Sequence, residues 1–153
     1  MNSHGLITMA LSKETNTKLV LKESTSMFIK LNMIFAEMLS EIYEYNNRIK
    51  NAGYYLKPIH MTTRRLVDGT VLKYYYYGRY WYRVERNERG RVKWVYLGRE
   101  KPSPDLPDPP KNPLEGVVIK KYNGRVEIEF SSESVLREVY ERLAKHEKKE
   151  PFT

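Results

Sequence analysis

Hydrophobic positions change their spacing three times along this chain, and each spacing predicts a different element. Between residues 24 and 51, Met27, Leu31, Ile34, Met38, Ile42, Tyr45 and Ile49 recur every three or four positions, with Phe28, Phe35 and Leu39 widening the stripe. That period marks one face of an amphipathic helix. Ser24 or Ser26 is a suitable N-cap, and Gly53 a suitable stop. The helix is expected either to lie across a sheet as a core element or to form the seam of a homodimer. Ahead of it, two short apolar runs, Leu6–Leu11 and Lys18–Lys22, flank a turn-like segment and predict a hairpin.

From residue 59 to 98 the apolar period falls to two, predicting an antiparallel meander of four strands. Asp68-Gly69 reads as a type I′ turn, Gly78-Arg79 as a type II′ turn, and Glu88-Arg89-Gly90 as a three-residue loop. Those turns set the register: Tyr77 opposes Tyr80, Glu85 opposes Lys93, Val84 opposes Trp94 and Tyr82 opposes Tyr96. One face then carries Tyr75, Tyr77, Tyr80, Tyr82, Val84, Trp94 and Tyr96, and is expected to meet the helix. The other carries Tyr74, Tyr76, Trp81, Arg83, Glu85, Arg91, Lys93 and Val95. Arg64 and Arg65 point to opposite faces.

Six prolines between residues 102 and 114 break the pattern and predict an extended strap. Beyond it, Val117–Tyr122 and Arg125–Phe130 alternate around Asn123-Gly124, a type I′ signal. Ser131 or Ser132 then caps a helix whose apolar face is Val135, Leu136, Val139, Tyr140 and Leu143. The expected fold is therefore α+β, an antiparallel meander with a long N-terminal helix and a C-terminal ββα unit. It divides into an N-terminal hairpin and helix (1–56), a basic aromatic meander (57–101), a Pro-rich strap (102–115), and the ββα unit with a charged tail (116–153).

Charge sharpens this picture. The 153 residues carry a net charge of +8, and residues 57–101 alone hold twelve basic and four acidic side chains, enough to account for all of it. Seven of the 13 tyrosines and both tryptophans fall within residues 74–96. Guanidinium and ammonium groups neutralise phosphates and release counterions, while aromatic rings stack on bases, so this combination points to nucleic acid. The candidate contacts are Tyr74, Tyr76, Trp81, Arg83, Arg91 and Lys93, with Arg65 and Arg89 beside them. A cationic face favours duplex, because a β-ribbon carrying Arg can enter the major groove. An exposed Tyr-rich face favours a single strand.

At Gly78–Glu100, "GRYWYRVERNERGRVKWVYLGRE", the chain resembles the three-stranded sheets of integrase arm-binding domains and of plant ethylene-response-factor DNA-binding domains. The resemblance implies that Arg83, Arg91 and Lys93 face DNA with Trp81 beside them. Those families follow the sheet directly with a helix, whereas a proline-rich strap follows it here. The hairpin ending in Tyr96-Leu97-Gly98 also resembles small proteins of archaeal mobile elements, which implies an accessory or regulatory role there.

Other chemistry finds little support. With no cysteine, disulfides, thiolate metal sites and cysteine nucleophiles are excluded. His4, His60 and His146 lie in separate segments, and aspartate occurs only at 68, 105 and 108. Glu127 and Glu129 read as a solvated strand face, and no Gly-rich phosphate loop is present. The expectation is a non-catalytic, DNA-favouring binding protein without cofactors or metals. The competing expectation is an oligomeric scaffold whose basic sheet meets an acidic protein. No apolar run approaches the ~20 residues a membrane span needs, and residues 1–20 lack a signal-peptide core, so a cytoplasmic location is expected.

Overall fold

The computed structural model describes residues 11–13, 19–22 and 25–149. Leu6–Ala10, Ser24 and His4 lie outside the described residues, as do the side chain of His146 and the last four residues. Among the described residues, seven strands form one sheet and two helices pack on one of its faces. The strands are β1 (Leu11–Lys13), β2 (Leu19–Leu21), β3 (Tyr54–Arg65), β4 (Val71–Arg86), β5 (Val92–Gly98), β6 (Val117–Tyr122) and β7 (Arg125–Phe130). The helices are α1 (Thr25–Ile49) and α2 (Glu133–Lys149). The fold is α+β, with the long N-terminal helix, an antiparallel sheet and a C-terminal ββα unit.

All seven residues of the predicted helical stripe are buried, and they face the sheet. The face from which a homodimer seam was argued is thus occupied within the chain. A short 3₁₀ turn, Lys50–Ala52, ends α1 at Gly53, whose φ of +83° is the left-handed stop. The chain enters β3 directly after it.

The strand order β1-β2-β7-β6-β4-β3 has β5 beside β4, so the ββα unit extends the same sheet through the β4–β6 pairing. β4 is the hub, paired with β3 on one side from Val71 to Arg83. On its other side it pairs first with β6 and then, past residue 80, with β5. Two apolar clusters lie under the helices. One joins Leu31, Ile34, Phe35 and Met38 of α1 to Tyr77, Ile119, Ile128, Phe130 and the α2 face Leu136, Val139 and Leu143. The other holds Tyr45, Ile49, Leu56, Trp81 and Leu106. Ser132 caps α2, its Oγ accepting from the amide of Val135 at 3.3 Å.

The Asn123-Gly124 turn has φ of +48° and +73°, as a type I′ turn requires, and pairs Tyr122 with Arg125. The Asn87–Gly90 loop gives the expected register: Glu85 opposite Lys93, Val84 opposite Trp94, Tyr82 opposite Tyr96. Asp68-Gly69 does turn the chain, but through a three-residue loop. The amide of Leu66 donates to the Thr70 carbonyl at 2.8 Å, and Gly69 alone takes the left-handed conformation, so the register is one residue from that of a type I′ turn.

Gly78-Arg79 is not a turn, which corrects the four-strand meander to three long strands. β4 runs straight through it. Gly78 and Arg79 together oppose the single residue Pro58, making a β-bulge with Gly78 at φ +55°. Three tertiary features favour the bulge over a turn. Pro58 has no N–H to offer a ladder there. Asn112 of the strap donates through Nδ2 to the carbonyls of Tyr77 and Gly78, at 2.7 and 3.0 Å. Glycine also suits the close approach to α1, since a Cβ at residue 78 would lie 3.0 Å from Ile42 Cδ1 at a φ that side chains rarely adopt.

Candidate nucleic-acid interface

The bulge decides which aromatic residues meet solvent. A turn at Gly78 would fold Tyr80 back onto the face of Tyr77. A strand that continues places Tyr80 three residues on, and therefore on the opposite face. Tyr75 and Tyr77 pack beneath α1, with the Tyr77 ring 4.7 Å from Phe35. Trp81 follows them inward: it is 3% exposed and meets Tyr45 edge-on at 6.1 Å. Tyr80, Tyr82, Trp94 and Tyr96, assigned from the sequence to the core, lie on the face away from the helices.

On that face the rings form a connected array. Tyr76 meets Tyr80 at 5.3 Å, Tyr80 meets Tyr96 at 5.8 Å, and Tyr96 meets Tyr82 at 5.6 Å. Trp94 lies 6.5 Å from Tyr82 and 5.0 Å from Tyr55. His60 sits among them, 4.7 Å from Tyr80, with Nδ1 3.0 Å from the Tyr82 hydroxyl. Trp94 and Tyr96 are the most open, 53% and 54% exposed. A cleft of about 300 Å³ runs between Tyr55, Lys57, Tyr82 and Trp94.

Burial disfavours charge on this array. It pushes the phenols of Tyr55, Tyr76 and Tyr82 above their ordinary value. It also holds His60 below its ordinary value, with Lys57 adding to the effect. Fixed cations border the neutral rings. The Lys57 ammonium lies 5.2 Å from the centre of the Tyr82 ring. The Arg79 guanidinium lies 5.2 Å from Tyr76 and 6.0 Å from Tyr80. Arg64 and Arg86, both exposed, share this face by register. The surface thus offers π-faces for stacking and positive charge for a phosphate chain.

The residues singled out from the sequence are divided by the fold. Tyr74 and Tyr76 are on the open face, partly buried, opposite Lys120 and Val118 of β6. Arg89 and Arg91 are exposed at the β4–β5 tip, where Asn87 Oδ1 accepts from both backbone amides at 2.9 Å. Arg83 and Lys93 share the face of Trp81, not that of the tyrosines, and Arg83 is paired with Glu85 at 2.8 Å. Arg65 falls by register on the helix side, at the far end of the β3–β4 hairpin, and Arg64 takes the open face. Trp81 is buried and corrects the expected contact. The stacked face therefore depends on residues first read as core (Tyr80, Tyr82, Trp94, Tyr96), as a turn (Arg79) or as one of three histidines in separate segments (His60). Pro58, opposite Gly78, is the one sequence feature that hints at the bulge.

Among the described residues, no helix is long and apolar enough to cross a membrane. Comparison with protein-family models, curated proteins and solved structures finds no match for this chain.

Proposed function

We propose that the protein binds single-stranded nucleic acid, without catalysis, on the sheet face turned away from its helices. One observation carries this reading: the ring array from Tyr76 through Tyr80, Tyr96 and Tyr82 to Trp94 lies on the open face and is flanked by Lys57, Arg79 and Arg86. Bases in a duplex are already stacked on one another, so half-exposed rings have nothing to receive from it. The bases of a single strand are free to lie on such rings, and stacking tolerates any sequence because every base has a π-face. The alternative of a β-ribbon inserted into the major groove needs its Arg and Lys residues on the open face. Here Arg83 and Lys93 are on the other side.

The test is fluorescence anisotropy with labelled single-stranded DNA, single-stranded RNA and duplex DNA, at ~50 and ~200 mM salt. DNA is the first choice of ligand. Single strands should bind more tightly than duplex, and affinity should fall steeply with salt, by about a thousandfold if 6–10 phosphates are contacted. Tighter binding to duplex would move the interface to the cationic β4–β5 tip. Absence of binding to all three at low salt refutes the reading and favours an acidic protein partner for this face.

A further inference from the structure

Next to the aromatic array, where β4 passes from β6 to β5, lies a cavity of about 390 Å³ lined by Tyr74, Tyr76, Arg79, Arg99, Glu129 and Ser131. Its unusual member is Arg79. The side chain is 7% exposed, yet no carboxylate lies within ion-pair distance of it among the described residues. One terminal nitrogen donates to the Glu115 carbonyl of the strap. The Nε, fully buried, has no partner among the described residues. A guanidinium withdrawn from water without an anion is costly, and proteins usually pair it. Arg99, exposed at the cavity's other wall, likewise forms no ion pair among the described residues.

The walls are held in place from several directions. Gly116 closes against α2 so tightly that a Cβ would collide with Ser131 and Val135, and its carbonyl accepts from the amide of Ser131 at 2.8 Å. Asn112 ties the strap to the bulge on which Arg79 sits. The guanidinium is thus preorganised, and the rings of Tyr76 and Tyr80 join it to the stacking face. Among the described residues that line the cavity, two guanidinium groups and the carboxylate of Glu129 give a formal excess of one positive charge.

We infer that this cavity holds a phosphate group of the bound strand, with Arg79 as its buried cation and Arg99 as its outer one. The inference rests on the single-strand reading and adds to it the point at which the backbone is anchored. A charge-assisted contact would supply Arg79 with the anion it lacks. The strand's bases would then run from Tyr76 and Tyr80 toward Trp94.

The experiment is an amide NMR titration of the full chain with inorganic phosphate, thymidine monophosphate and thymidine. It is paired with anisotropy on oligonucleotides carrying a 5′-phosphate or a 5′-hydroxyl. Phosphate and the monophosphate should shift the amides of Gly116 and Ser131, and thymidine should not. Arg99→Glu, at an exposed position, should abolish those shifts and weaken oligonucleotide binding about tenfold or more, whereas Arg137→Glu on α2 should leave both unchanged. Preference for the 5′-phosphorylated strand would identify a terminal phosphate, and equal affinity an internal one. Equal shifts with thymidine, or full oligonucleotide affinity in Arg99→Glu, would overturn the inference. If no oligonucleotide binds but phosphate still shifts these amides, the single-strand reading fails and the anion site stands.

Discussion

The two tryptophans provide a sharp internal comparison, since they lie on opposite faces of neighbouring strands and the bulge decides which of them is buried. Trp81 is buried between Tyr45, Leu56 and Leu106, and replacing it with alanine should cost about 3–5 kcal/mol of stability. Trp94 is half-exposed, and its protein contacts are edge-on meetings with Tyr55 and Tyr82 at 5.0 and 6.5 Å. Such pairs contribute roughly 0.5–1.5 kcal/mol each, so the loss of both in Trp94→Ala should cost about 1–3 kcal/mol. For a chain of this size that is a fall in Tm of roughly 2–4 °C per kcal/mol. A base stacked on an aromatic ring contributes about 1–3 kcal/mol. Trp94→Ala should therefore weaken single-strand binding by about five- to 150-fold. The assay is anisotropy at fixed low salt beside a thermal melt of each variant. A Trp81→Phe background leaves Trp94 as the only indole, and its emission should be quenched on binding. If single strands bind but Trp94→Ala binds them with unchanged affinity and Trp94 emission does not move, the stacking face has been assigned wrongly.

Other substitutions test the features that position this face. Gly78→Ala forces a side chain into φ +55° and to within 3.0 Å of Ile42 Cδ1, and should destabilise the fold by about 1–3 kcal/mol in urea titration. An unchanged midpoint would mean that the bulge is not rigid. Asn112→Ala leaves the carbonyls of Tyr77 and Gly78 and the amide of Leu114 without their side-chain partner, and should cost about 1–3 kcal/mol by the same measurement. Burial pushes the phenol of Tyr77 up to about 12. An unfolded tyrosine ionises near pH ~10, so above that pH the unfolded chain binds fewer protons than the folded one. The stability linked to Tyr77 is therefore complete below about pH 10 and is lost as pH rises toward 12. Tyr77→Phe should flatten that alkaline loss, as read from denaturant midpoints between pH 9 and 11.

Much of the architecture was legible because it depends on neighbours in sequence. The α1 stripe from Met27 to Ile49, its stop at Gly53, the Asn123-Gly124 turn and the Asn87–Gly90 loop each follow from local period or from glycine's access to positive φ. The register of Tyr82 against Tyr96 follows from that loop alone. Gly78-Arg79 is different. As a dipeptide it satisfies a tight turn as well as a bulge, and the choice between them depends on residues far away. Pro58 lies opposite it, Ile42 lies above it, and Asn112, more than thirty residues on, takes its carbonyls. The edge strand β3 shows the same dependence, because Asn46 of α1 bonds both the N–H and the C=O of Leu56 at 2.8 Å, a contact no local pattern announces.

That choice had large consequences because side chains alternate with a period of two. Moving one chain reversal leaves the composition of residues 74–96 intact and exchanges inside for outside beyond the bulge. Trp81 went into the core, and Tyr80, Tyr82, Trp94 and Tyr96 came out. Charge and aromatic content, being sums over a segment, could be read along the chain and directed attention to residues 57–101. Which of those side chains meet solvent together is a property of pairing across strands. It was set only when β4, gripped along its length by β3, found β6 and β5 on its other side.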